Sequence, residues 1–351
     1  MQIFRNRLQA LHDARLEMYR GRLVPCHEKP ARVDHVLSEL GRRPVGVLLD
    51  PAPQPDGVLR AALEAVHAPR YLDFLASAWD AWLALDPANA EQDILPSVWP
   101  VRGFRSDVLP DNFAARLGLF SFDAGSPIMA GTWAAAQQGA ACTHAAALAV
   151  AAGSRSAFAL TRPPGHHAGP DFFGGYCFVN NAALAAQTLR HAGATRVAVL
   201  DVDYHHGNGT QAIFWSRSDV LTVSVHGDPR SEYPFFLGHA DEHGEGEGLG
   251  ANLNLPLPRG SSVAHWFAAL EAALQAVQRH GADALVVALG VDTFEGDPIS
   301  GFRLTGADYL RLGERLARAG LPTVFTFEGG YAVAEVGVNV VNVLEGFVGA
   351  G

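Results

Sequence analysis

The chain has 351 residues, 48% hydrophobic and 18% charged, a composition that buries a large core and argues against disorder. Its 26 Lys and Arg residues stand against 36 Asp and Glu, a formal net charge of -10 that makes nucleic acid a poor partner. Lys29 is the only lysine, which all but excludes Schiff-base and pyridoxal chemistry, since both need a lysine at the reacting centre.

Residues 1–22 are charged throughout and lack the apolar centre of a secretory signal, and no run approaches the ~20 apolar residues of a membrane span. Cys26, Cys142 and Cys177 are odd in number and show no C-x-x-C spacing, which fits a reducing compartment, so the expected location is cytoplasmic with no membrane partner. Residues 1–90 mix short helical patterns with Pro and Gly breaks, and apolar residues fall at helical spacing over 58–66 and 71–83. The stretch 86–132 differs. Pro, Gly and isolated aromatics (Trp99, Phe104, Phe113, Phe120, Phe122) recur without a sustained period, as in a long binding loop or an interface segment.

From Thr132 onward a regular alternation sets in. Helices are predicted over 133–152, 179–192 (stopped by Gly193), 262–280 (capped by Ser262, stopped by Gly281), 307–319 and 336–347. Strands are predicted over Ser156–Leu160, 196–200, 220–225, Ala284–Leu289 and Thr323–Phe327. Strands alternating with helices imply one α/β domain over 1–351, with a mostly parallel sheet covered on both faces.

Four of these strands end in chemically competent residues. After 196–200 comes D-V-D-Y-H-H-G-N-G-T, where Asp203 and His205, two apart, project from one face of an extended backbone and can share a divalent metal. The alternative is a tip that merely caps its loop by hydrogen bonds. R-P-P-G-H-H follows Ser156–Leu160 and places His166 and His167 side by side in a turn set by two prolines and a glycine, uncommon in a mere loop, with surface histidines on a Pro-rich turn as the alternative. G-V-D-T-F-E-G-D-P-I-S follows Ala284–Leu289, where Asp292 either completes a metal site or caps the next turn. E-G-G-Y follows Thr323–Phe327 and presents Tyr331 for chemistry or for packing. Ligands of open α/β sheets bind at strand C-termini, and four such ends on one edge are hard to attribute to capping. A nucleotide-loop reading of 244–250 fails, because Glu245 and Glu247 would repel a pyrophosphate and no strand leads in. The acidic run 241–248 reads as a solvated loop.

Together these four motifs resemble the histone deacetylase superfamily, most closely its bacterial acetylpolyamine amidohydrolase branch. The similarity extends through L-V-P near Leu23, F-D-A-G-S-P-I, G-T-W at 131–133 and V-N-V-L-E-G-F near the C-terminus. The resemblance implies a three-layer α/β/α fold of the arginase/deacetylase type. It implies one zinc ion per subunit held by Asp203, His205 and Asp292, with His166 and His167 as the acid/base pair and Asp201 orienting His166. Tyr331 matches the tyrosine that polarises the amide carbonyl, Asn208 stands beside His167 where some relatives have aspartate, and a structural potassium ion is implied near Asp201 and Ser224. Gly175 and Tyr176 in G-G-Y-C-F and Tyr233 in E-Y-P match the substrate tunnel. It further implies a homodimer in which 86–132 narrows the tunnel mouth.

Amide hydrolysis needs a polarised carbonyl, an activated water and a proton for the departing amine, and no residue type in that scheme is missing. The expected substrates are small acetylated amines such as acetylputrescine or acetylcadaverine. The alternatives are acetyl-lysine in proteins, another small amide, or a non-catalytic module that binds an acetylated ligand. Where the polyamine branch places acidic residues to meet the distal ammonium, this chain has Ala114 and Gly125, leaving Asp107, Asp111 and Asp123 as the nearest candidates.

Overall fold

The computed structural model describes residues 1–96 and 105–350. Ten strands occur among them: β1 (Gln2–Arg5), β2 (Leu16–Tyr19), β3 (Arg22–Pro25), β4 (Val47–Leu49), β5 (Ser156–Leu160), β6 (Val197–Asp201), β7 (Val220–Gly227), β8 (Asn252–Leu257), β9 (Ala284–Leu289) and β10 (Thr323–Phe327). Eight form one sheet in the order β4-β1-β5-β10-β9-β6-β7-β8, and every adjacent pair is parallel. β2 and β3 make a separate antiparallel hairpin.

Strand side chains alternate between two cores. Phe158, Leu160, Ala198, Leu200, Leu285, Val287 and Phe325 pack against helices Ala31–Arg42, Val263–His280, Gly306–Ala317 and Val333–Gly349. Ala157, Ala159, Val197, Val199, Val286, Ala288 and Val324 face the other way, towards helices Pro69–Leu85, Thr132–Ala151 and Asn181–His191. This is the expected three-layer α/β/α arrangement, and burial on both faces explains why the central strands read as continuous apolar runs. The predicted start and stop signals hold: Ser262 accepts a hydrogen bond from the His265 N–H, and Gly281 sits at φ 69°.

Three sheet strands escaped the sequence reading. β1 and β4 have only three or four residues, and β8 includes Pro256, which an edge strand tolerates. The stretch 86–132 also carries more structure than a loop. It holds a helix, Phe113–Phe120, capped by Asn112 through the Ala115 N–H, and Ile94 bridges to Ile128. Phe113 and Phe120 are buried in their own chain, so they supply no bare aromatic surface for a partner. Trp99 and Phe104 lie outside the described residues.

Strands β5, β10, β9 and β6 are neighbours in the middle of the sheet, and these four end in the polar clusters. The parallel topology thereby delivers residues 166, 167, 203, 205, 292 and 331 to one edge.

Candidate active site

Asp203, His205 and Asp292 converge. One ligand atom from each lies within 4.8 Å of the others, and all three residues are buried. His205 Nδ1 is 2.9 Å from Asp292 Oδ2 and 3.4 Å from Asp203 Oδ1. Backbone N–H groups fix the carboxylates: His205 N donates to Asp203 Oδ1, Gly329 N to Asp203 Oδ2, and Tyr204 N to Asp292 Oδ1. Gly329 must be glycine, since a Cβ there would lie 2.5 Å from Asp203 Oδ2. Burial, then the Asp203 charge, pushes the Asp292 carboxyl up to about 8. When both are ionised, the two buried carboxylates beside a neutral imidazole would balance a divalent cation. Oxygen and nitrogen donors in that ratio suit zinc.

The adjacent histidines differ in their partners. His166 Nδ1 lies 2.9 Å from Asp201 Oδ2. Burial alone would lower its pKa, but the carboxylates of Asp201 and Asp203 outweigh burial and raise it to about 10, the direction that favours an imidazolium. His167 Nδ1 lies 2.6 Å from Asn208 Oδ1, an atom that only accepts. The imidazole proton is therefore on Nδ1, and Nε2 keeps its lone pair. Burial, then the charges of His166 and His205, lowers the His167 pKa well below 6.5. The two rings are pushed in opposite directions, so that His167 is the one with a lone pair free to accept a proton.

The loop carrying these rings is pinned from several sides. Glu328 Oε2 accepts the N–H groups of Gly165 and His166, and Asn180 Nδ2 donates to Ala168 O. His67 donates from Nδ1 to Gly169 O and accepts the Asn180 N–H at Nε2. Deeper still, Glu28 Oε1 accepts from Arg32 at 2.8 Å and from Arg162 at 2.7 Å. Arg32 in turn donates to the carbonyls of Glu328 and Gly330, the turn that presents Tyr331. Tyr331 N donates to Asp297 Oδ2, and burial holds the phenol pKa well above 10, so the hydroxyl keeps its proton.

His167, His205 and Tyr331 open into a cavity of about 230 Å³ walled by Gly175, Tyr176, Tyr233 and Ile299. The rings of Tyr176 and Tyr331 meet edge-on at 5.6 Å, as do those of Tyr233 and His167 at 5.0 Å. Every residue expected at the centre or in the tunnel is thus brought to this one place. Asp201 and Ser224 pair in register on β6 and β7 beside a cavity of about 10 Å³. Of the carboxylates considered for ammonium recognition, Asp123 lines the cavity. Asp107 is exposed and paired with Arg105, Asp111 is exposed, and neither is among the lining residues. The sequence reading missed the rim residues Met18, Tyr19 and Arg20 of the β2–β3 hairpin and the paired Glu232 and Arg259, although Glu232 opens the quoted E-Y-P. It also assigned no role to Glu28 or Glu328, although the latter opens the quoted E-G-G-Y.

Comparison with known proteins gives a consistent result. The family described as "Histone deacetylase domain" matches residues 26–347. Acetylpolyamine amidohydrolase 2 of Pseudomonas aeruginosa is 53% identical over 339 residues, covering 97% of this chain and 96% of the relative. Acetylpolyamine amidohydrolase of Mycoplana ramosa is 44% identical over 342 residues, covering 97% of each. A crystal structure of acetylpolyamine aminohydrolase from Burkholderia pseudomallei superposes with a TM-score of 0.93 at 39% identity, covering 100% of this chain and 99% of that one.

Proposed function

The chain belongs to the histone deacetylase family, and on that footing we propose that it is a zinc-dependent amidohydrolase that removes acetyl groups from small acetylated amines and releases acetate. One observation carries the reading: His167, Tyr331 and His205 of the metal-type trio open into one narrow cavity walled by two tyrosines, with Asp203, Asp292 and His166 directly behind them. The amidohydrolase names of relatives about half identical to this chain support acetylpolyamines as the substrate class.

Asp203, His205 and Asp292 would hold the zinc ion, which when bound supplies Lewis acidity to an amide carbonyl and to water. The chain's own groups do the rest. His167 takes a proton from water at Nε2, with Nδ1–H fixed by Asn208. His166 stays cationic through Asp201 and favours the negative charge that builds up on the amide. Tyr331 donates a hydrogen bond to the carbonyl oxygen as it becomes an oxyanion, a contribution worth about 10² to 10³ in rate. Protonated His167 then returns its proton to the leaving amine.

A potassium ion near Asp201 and Ser224 and one zinc ion per subunit belong to the same proposal. So does a homodimer through 86–132, which the exposed side chains of Val108 and Leu109 support. No helix among the described residues is long and apolar enough to cross a membrane, and the three buried free cysteines suit the cytoplasm. Acetate release from acetylputrescine, acetylcadaverine, acetylspermidine and an acetyl-lysine peptide, compared side by side, tests the reading. The small amines should be preferred, and peptide turnover at an equal rate would favour a protein deacetylase instead.

A further inference from the structure

Asp123 lies at the cavity wall, where a carboxylate invites the role of ammonium ligand. Its hydrogen bonds point elsewhere. Oδ2 accepts the Gly175 N–H at 2.7 Å and the Tyr233 hydroxyl at 2.7 Å. Oδ1 accepts the Gly125 N–H at 3.1 Å and the Ser126 hydroxyl at 3.2 Å. An ionised carboxylate has about four lone-pair sites, and four donors of the chain itself occupy them.

Those donors belong to both walls of the tunnel. Ser126 Oγ passes the connection on by accepting the Tyr176 N–H at 2.9 Å. Gly175 and Tyr176 adopt φ 55° and 67° in succession, so two consecutive N–H groups turn towards the Asp123 and Ser126 oxygens. For a tyrosine the left-handed region is strained, and such a conformation persists only where its surroundings over-determine it. Here two backbone hydrogen bonds hold it, and together with the Tyr176 hydroxyl, which donates to Glu17 Oε1 at 3.1 Å, they set the ring against Tyr331. On the opposite wall, Asp123 fixes the tip of Tyr233, whose ring packs edge-on against His167.

We propose that Asp123 is a positioning residue that clamps Tyr176 and Tyr233 at the tunnel width an acetylated alkyl chain needs, and that it does not ligate the distal ammonium. The clamp acts on the aliphatic part of the substrate and is indifferent to charge at the far end. This rests on the amidohydrolase reading of the same site.

The test compares acetylputrescine with N-pentylacetamide, which has a similar length and no distal ammonium, on wild-type protein and on Asp123→Asn. An amide side chain in place of the carboxylate leaves at least one wall donor facing an N–H₂ group. KM should rise about 10- to 100-fold for both substrates, with kcat within about threefold, because the walls hold ground state and transition state alike. Ser126→Ala, which keeps the charge and removes the link to Tyr176, should raise KM for both in the same sense. A KM increase confined to acetylputrescine would make Asp123 an ammonium ligand and overturn the clamp, as would unchanged KM for both.

Hydrogen exchange over residues 170–180 gives a readout independent of activity. It should quicken in Ser126→Ala and in Asp123→Asn, and protection equal to wild type in both would also overturn the clamp. A wild-type protein inactive on both amides would count against the amidohydrolase reading, while exchange would still decide the clamp.

Discussion

His167 Nδ1 lies 2.6 Å from the side-chain oxygen of Asn208, a neutral acceptor that fixes the tautomer of the ring and favours its charged form less than a carboxylate would. Burial, then the neighbouring His166, holds the His167 pKa well below 6.5 against this bond, and a carboxylate in the place of Asn208 would raise it further. Asn208→Asp should raise the His167 pKa and move the acidic limb of kcat/KM to higher pH by about one unit or more. A pH–rate profile checks this, and an acidic limb that stays in place would remove His167 as the base.

Tyr331 keeps its phenol proton and meets no other ionisable partner in the mechanism. Removing the hydroxyl in Tyr331→Phe leaves the ring edge-on to Tyr176 and takes away a hydrogen bond made chiefly in the transition state. Turnover should fall about 10²- to 10³-fold with little change in KM. Unchanged turnover would assign Tyr331 to packing.

Glu28 is buried between Arg32 and Arg162, and its loss would strand two guanidinium groups in the interior. Burial works to raise the Glu28 pKa, but Arg162 and Arg32 outweigh it and leave the carboxyl below its ordinary range. The stability this contributes is present above the unfolded-chain carboxylate pKa and lost as pH falls through the folded value. At neutral pH, Glu28→Gln should destabilise the protein by about 3–5 kcal/mol in denaturant titration. A change within about 0.5 kcal/mol would show that the pair does not brace the two loops.

Milder acid acts through different groups. Burial lowers His12 and His67 to about 4, so both are neutral in the folded chain. As pH falls below about 6.5 the unfolded chain takes up protons first, so stability is full above that value and declines steadily towards pH 4. His67→Gln should lose less of its denaturation midpoint between pH 7.5 and pH 5 than the wild-type protein does. An equal pH dependence in the two proteins would contradict the neutral assignment of His67.

The site was legible in the sequence where chemistry sits on the strand ends themselves. Asp203 and His205, Asp292, the histidine pair and Tyr331 each follow an apolar run of five or six residues, and parallel pairing of β5, β10, β9 and β6 puts them on one edge. Glycines marked the tight approaches, as at Gly329 against Asp203. What supports the site was not legible. Asp123 reaches Gly175 and Tyr233 across 52 and 110 residues, and Glu28 reaches Arg162 across 134. No local period carries information over such spans. The strands β1, β4 and β8 were missed for a related reason, since a strand of three or four residues, or one containing proline, forms only because a longer neighbour pairs with it. Two of the aromatics in 86–132, Phe113 and Phe120, lie on the helix Phe113–Phe120 and turn into the chain's own core, a placement that no local period announces.

Acetate release from acetylputrescine, measured on purified protein before and after chelation and with the metal content of each sample determined by elemental analysis, bears most directly on the trio Asp203, His205 and Asp292. Release should be lost with the metal and return on addition of zinc, and Asp292→Ala should bind less metal and stay inactive after zinc is added. Full activity in protein shown to be free of metal would contradict a metal-dependent amidohydrolase.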